Sequence, residues 1–253
     1  MGSKPKVAFF DFACCEGCQL QIANLEEEVI GLTNLVDVVE FREVLTGTAP
    51  EYDIAFIEGS ITRKVDEERI IDIRNRSKLL VAFGQCAVSG GINRLKNNRE
   101  SLDQVKKEVY GDAHNMPHLD TYPTKGIDEV VKVDFHIPGC PIDKTEFLNV
   151  VKAIALGKAP SIPNYPVCVE CKLKENECVY DKGMVCLGPI TRGGCDAICP
   201  SFGQFCTGCR GLISNPNKNA MLDILTEHGI SLDEAKNRIL LFNSYDHSQS
   251  MPK

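Results

Sequence analysis

The sequence predicts an α/β protein, a doubly wound parallel sheet followed by a small cysteine-rich domain. Three observations predict it. Apolar runs bounded by turn residues recur through the first 160 residues, and most are apolar on successive positions, as strands covered on both faces require. Segments of helical periodicity fall between several of these runs, which implies crossovers and parallel pairing. Beyond Pro160 the composition changes, and eight cysteines lie between Cys168 and Cys209.

The elements follow in order. "KVAFFDF" reads as the first strand, and after Cys18 the residues Ile22, Leu25, Val29 and Leu32 form one helical stripe, with Glu26, Glu27 and Glu28 on the other faces. "VDVVEF" and "YDIAFIEGS" are the next two strands, and "VDEERIIDIRNRS" is a helix. "KLLVAFGQC" is the fourth strand; "ESLDQVKKEVYG" is a helix stopped by Gly111. "GDAHNMPHLDTYP" reads as a surface loop, so His114 and His118 are solvated residues and not ligands. "VVKVDFHIPGC" is the fifth strand, and "DKTEFLNVVKAIALG" a helix with Phe147, Val150, Val151 and Ile154 on one face. "APSIPNYPVC" is a proline-rich linker into the cysteine-dense segment. Two short helices, "NAMLDILTEHG" and "SLDEAKNRILLF", close the chain, the second opened by a capping box from Ser231 to Glu234.

Composition excludes several classes of function. The chain has 253 residues, 43% hydrophobic and 25% charged, and a net charge of −7. A nucleic-acid partner would call for a basic patch, and nothing here supplies one. No apolar stretch approaches the ~18 residues of a membrane span, and the start shows no secretory signal, so the expectation is a cytoplasmic protein without membrane insertion. Thirteen cysteines are then the anomaly. In a reducing compartment, metal or redox chemistry explains them better than disulfides do.

Their positions sharpen this. Cys15 and Cys18 follow the first predicted strand, Cys86 the fourth and Cys140 the fifth. These are carboxyl ends of parallel strands, where open α/β sheets build their sites. Gly17, Gly84 and Gly139 flank them, allowing backbone to approach a bulky inorganic group. Four thiolates there would hold zinc or an iron–sulfur cluster. The turn after the first strand carries cysteines instead of a dinucleotide fingerprint, and "GQCAVSGG" lacks the P-loop ending, so nucleotide binding is rejected. In the second segment, eight cysteines leave little room for a core, so metal must organise it. Two four-cysteine zinc sites are conceivable, but "CP" at Cys199–Pro200 and the unfamiliar spacings favour ferredoxin-type clusters.

With "CCEGCQLQI", "AFIEGSI", "GQCAVSGG", "IPGCP", "YPVCVEC", "CLGPITRGGC" and "CTGCRG" in this order, the chain resembles the small (delta) subunit of cofactor-coupled nickel–iron hydrogenases of the NAD(P)-linked, sulfhydrogenase type. The resemblance implies a flavodoxin-like domain over 1–160, a two-cluster ferredoxin-like domain over 161–212 and a helical tail over 213–253. It also implies three 4Fe-4S clusters. Cys15, Cys18, Cys86 and Cys140 would hold the proximal one, and Cys14 would be a spare thiol. Cys168, Cys171, Cys178 and Cys186 match the distal cluster. Cys195, Cys199, Cys206 and Cys209 match the medial one. Cys168 stands where the periplasmic branch has histidine, and Cys199 where it has proline and a three-iron cluster. Ile142 replaces a second proline common after "GCP". The chain lacks the paired C-x-x-C motifs of a large subunit, so the resemblance puts dihydrogen cleavage at a nickel–iron centre in a partner. Electrons would then pass to a flavin-containing diaphorase-type subunit and an iron–sulfur subunit. Glu58, in "IEGS", is read either as a proton-transfer group or as a capping or interface carboxylate. The alternatives are a subunit coupled to deazaflavin or heterodisulfide reduction, the quinone-site subunit of respiratory complex I (which should lack the second segment), and a zinc-binding interaction module.

Overall fold

Phe9 and Phe56 are paired across two neighbouring strands, Phe83 lies two residues beyond the partner of Phe56 on the next, and their rings build one side of a sheet. The structure, a computed structural model, describes residues 4–115 and 117–244. It divides into two compact units, 1–160 and 161–253. In the first, β1 (Lys6–Asp11), β2 (Asp37–Phe41), β3 (Tyr52–Glu58), β4 (Ser77–Phe83) and β5 (Phe135–Ile137) form one parallel sheet in the order β2-β1-β3-β4-β5. Its helices are α1 (Gly17–Ala23), α2 (Glu28–Leu35), α3 (Lys64–Asn75), α4 (Gln85–Ser89), α5 (Leu102–Tyr110) and α6 (Lys144–Ala155).

Burial on both faces explains the continuous apolar runs. Phe9 stacks on Phe56 at 5.1 Å between centroids, and Phe147 of α6 closes on Phe56 at 5.3 Å. On the other face Ala8, Ala55, Ile57 and Leu80 pack with Ile70 and Ile73 of α3. Neither face is left to solvent, so polar alternation has no place in these strands. Strand order reverses between β1 and β3, where Asp11 pairs with Glu58 at the carboxyl ends. Open α/β sheets bind their ligands at this switch point.

Two local expectations change. The helix expected after Cys18 is two helices, because Glu26 takes a left-handed φ of 54°, which a right-handed helix cannot continue through. The strand expected over "VVKVDFHIPGC" shrinks to three residues at the sheet edge, paired on one side only with β4. His114 contacts the Gly111 carbonyl through Nδ1 at 2.7 Å, and His118 is exposed.

The second unit contains α7 (Val167–Leu173), α8 (Ile198–Ser201), α9 (Lys218–Glu227) and α10 (Leu232–Asn243). Its core joins Val167, Val185, Leu187 and Ile190 to Met221, Leu225, Ala235 and Ile239. This core runs across residue 212, because the amphipathic faces of α9 and α10 cover the apolar side of the cysteine-rich segment. The capping box at Ser231 does not form: the Ser231 side chain accepts no backbone hydrogen bond. Glu234 turns instead to Arg238, one helical turn on, at 2.9 Å.

Candidate metal centres

At the switch point, α1 begins directly after β1, and its first turn presents unpaired backbone N–H groups. Glu58 satisfies two of them. Its Oε1 accepts from the Cys18 backbone N–H and its Oε2 from that of Gln19, both at 3.0 Å. The carboxylate is buried, and burial raises its pKa while these hydrogen bonds oppose the rise. Glu58 is thus a cap that fixes Cys18, using both oxygens.

The other strand ends converge on the same edge. Gln85 donates its backbone N–H to the Gly139 carbonyl at 2.7 Å, joining the turns that carry Cys86 and Cys140. Gly84 has φ +83°, and a Cβ on it would lie 2.5 Å from Cys18 Sγ. Burial pushes the Cys86 thiol up to about 12, with Cys140 and Cys15 adding to the rise. The Cys140 thiol is raised by burial first and then by Cys15 and Glu58. Cys15, Cys18, Cys86 and Cys140 therefore lie near one another at this edge, close enough for their charges to interact. Cys14 also lies nearby, and burial followed by Glu58 pushes its thiol up to about 12. A cationic metal centre at this edge would hold these sulfurs as thiolates.

In the second unit, α7 carries Cys168 and Cys171 one turn apart, and loops supply Cys178 and Cys186. All four line one cavity, together with Val167 and Tyr180. Gly188 leaves it open: a Cβ there would meet Cys168 Sγ at 3.3 Å and Cys186 Sγ at 3.4 Å. Burial pushes the Cys168 thiol up to about 12, with Cys186, Cys171 and Cys178 adding to it. The Cys206 backbone N–H donates to Cys186 Sγ at 3.3 Å.

Of the remaining four cysteines, Cys195 precedes α8, Cys199 lies within it, and Cys206 and Cys209 belong to the "CTGC" turn. Gln204 donates its backbone N–H to the Cys199 carbonyl at 2.9 Å, and Ile198 to that of Cys195 at 3.3 Å. Arg210, next to Cys209, donates from Nε to the Gly193 carbonyl at 2.7 Å, drawing the two stretches together. The Cys195 thiol is raised by burial and then by the Glu170 carboxylate, while Arg210 opposes the rise. Sequence reasoning missed both charged residues. The only signal was a carboxylate between the two cysteines of "CVEC" and a cation directly after "CTGC".

Two groups of four cysteines, one at the sheet edge and one lining the cavity, have the donor chemistry that zinc or an iron–sulfur cluster takes. Among the described residues no three Cys, His, Asp or Glu side chains converge to hold a single metal ion. Tetrahedral zinc draws its sulfurs to about 2.3 Å from one centre, whereas the thiolates of a four-iron cluster bond different irons and stand farther apart.

Residues 15–154 match the family described as NADH ubiquinone oxidoreductase, 20 Kd subunit. The chain is 38% identical to sulfhydrogenase 2 subunit delta of Pyrococcus furiosus, over 88% of this chain and 92% of that one. The chain belongs to this family of hydrogenase subunits. It is also 31% identical to a subunit of the F420-non-reducing hydrogenase vhu of Methanococcus voltae, over 83% of each. Among solved structures, a chain of an NAD+-reducing [NiFe]-hydrogenase in the H2-reduced state is similar with a TM-score of 0.58 and 27% identity, over 64% of this chain and 96% of that one. As a member of this hydrogenase family the chain is an oxidoreductase subunit, and among its described residues no helix is long and apolar enough to cross a membrane.

Proposed function

We propose that this chain is the electron-transfer small subunit of a nickel–iron hydrogenase, working through three 4Fe-4S clusters. Cys15, Cys18, Cys86 and Cys140 hold the proximal cluster. Cys195, Cys199, Cys206 and Cys209 hold the medial one, and Cys168, Cys171, Cys178 and Cys186 the distal one. When bound, the clusters supply one-electron carriers between the nickel–iron centre of a partner large subunit and a flavin-containing partner that reduces NAD(P).

The observation that carries this reading is the single cavity lined by Cys168, Cys171, Cys178 and Cys186, in a chain 38% identical to a sulfhydrogenase delta subunit. The likeness to hydrogenase subunits, one of them named an iron-sulfur subunit, supports a cluster over the zinc alternative. The residues of the chain bind and orient: Glu58 fixes the turn bearing Cys18, Gly84 and Gly188 keep Cβ atoms out of the sulfur-lined spaces, and the apolar walls restrict water. A cytoplasmic location belongs to the same proposal, since a chain with thirteen cysteines used for metal chemistry suits a reducing compartment. The likeness to the NAD+-reducing enzyme favours a nicotinamide acceptor and a diaphorase-type partner with an iron–sulfur subunit. The likeness to the F420-non-reducing hydrogenase supports the second reading, coupling to another acceptor such as a heterodisulfide. Copurification decides between them: the first reading expects a flavin-containing, NAD(P)-reducing subunit.

Metal analysis of the anaerobically purified chain tests the cluster count. The expected result is about twelve irons per chain and no nickel bound by it. Stoichiometric zinc with little iron overturns the proposal. Ligand choice at the first centre is tested by two neighbours. Cys14→Ser should keep the iron content and hydrogen-dependent dye reduction, and Cys15→Ser should lower both. The reverse outcome would make Cys14 the ligand.

A further inference from the structure

Glu170 lies on α7 between Cys168 and Cys171, yet its carboxylate serves another stretch of chain. Oε2 accepts from the Ala197 backbone N–H at 3.0 Å, and Oε1 from the Gly194 backbone N–H and from the Tyr165 hydroxyl, the latter at 3.0 Å. These oxygens act only as acceptors, as those of an ionised carboxylate do. The loop they grip contains two consecutive left-handed residues that are not glycine, Asp196 at φ 55° and Ala197 at φ 47°. Such residues persist only where their surroundings over-determine them. Glu170 Oε2 also stands 4.0 Å from Cys195 Sγ. At the start of the same stretch, the buried side chain of Arg210 donates from Nε to the Gly193 carbonyl.

We infer that Glu170 and Arg210 are positioning residues that set the reduction potential at the Cys195 site in opposite directions, Glu170 lowering it and Arg210 raising it. This rests on the reading of Cys195, Cys199, Cys206 and Cys209 as cluster ligands. Net charge beside a cluster, together with hydrogen bonds around its sulfurs, controls its potential. A fixed negative charge 4.0 Å from a ligand sulfur opposes the arrival of an electron, and a buried cation favours it. Because Glu170 is on the helix that presents Cys168 and Cys171, the same side chain ties the geometry of one four-cysteine group to the electrostatics of the next.

The test is a potentiometric titration of the purified complex followed by electron paramagnetic resonance, with iron counted in each variant. Glu170→Gln keeps shape and removes the charge. It should leave the iron content intact and move one reduction wave upward by at least tenfold in the one-electron equilibrium, about 59 mV. Glu170→Asp should leave that wave near its parent position. Arg210→Gln should move the same wave downward, and Arg210→Lys should restore it. If Arg210→Gln fails to hold iron, the Glu170 pair decides alone. A fully loaded Glu170→Gln complex with unmoved waves overturns the inference. So does loss of iron in both Glu170 variants, which reduces the residue to a structural clamp. A parent chain without four-iron signals fails separately, by removing the cluster reading itself.

Discussion

Cys199→Pro should convert the cluster proposed for Cys195, Cys199, Cys206 and Cys209 into a three-iron cluster. The substitution removes one of four thiolates at the second position of α8 (Ile198–Ser201) and copies the pattern that the resemblance assigns to the periplasmic branch. With one iron left without its ligand, a three-iron cluster of higher potential is expected, since cluster type and net charge both control the potential. A more oxidising carrier in mid-chain retains electrons. A shift of about 59 mV in a one-electron couple already changes the equilibrium tenfold. Reduction of a low-potential nicotinamide should therefore fall by tenfold or more, while artificial dyes of higher potential are spared. Proline also restricts Ile198 before it, so Cys199→Ala is the companion variant, removing the thiolate without touching the backbone. Electron paramagnetic resonance of the oxidised proteins reads the outcome. Absence of a three-iron signal in both, with every four-iron cluster intact, would mean that Cys199 is no ligand and that the eight cysteines divide differently.

Gly84→Ala should empty the first centre while leaving the second unit loaded. Gly84 has φ +83° and ψ 150°, a region open almost only to glycine, where a side chain costs on the order of 1–3 kcal/mol. The larger effect is steric. The new methyl would lie 2.5 Å from Cys18 Sγ and 3.6 Å from its Cβ, and Cys18 cannot retreat because Glu58 holds its backbone N–H. The sulfur must turn out of the shared space. Expected is a loss of about four irons of about twelve, with hydrogen-dependent activity falling below a tenth of the parent's. Gly157→Ala is the control: its φ is +69°, but a Cβ there meets nothing within 4 Å. It should cost stability through backbone strain and keep all the iron. Full iron in Gly84→Ala would show that the Cys18 sulfur points elsewhere in the loaded protein.

Much of the fold was legible because one physical requirement wrote it into the chain. A sheet buried on both faces needs apolar residues at successive positions, so β1, β3 and β4 announce themselves, and the parallel pairing follows from the helices between them. The cysteines were legible for a similar reason, since few other roles explain groups of thiols at strand ends and beside glycines. The sequence alone thus determined the doubly wound class, the sheet edge where Cys15, Cys18, Cys86 and Cys140 meet, and the family resemblance.

Tertiary structure decided where each charged side chain spends its hydrogen bonds. Ser231 and Glu234 have the spacing of a capping box, yet Glu234 joins Arg238 on the same helix, one local motif displacing another. Glu58 caps residues 39 and 40 positions away in the sequence, and Glu170 grips a loop 24 to 27 positions on. Local pattern carries the burial of a residue, because burial repeats with the geometry of its own strand or helix. It does not carry the identity of a distant acceptor's donors, which exists only once strands and loops remote in sequence have been packed side by side.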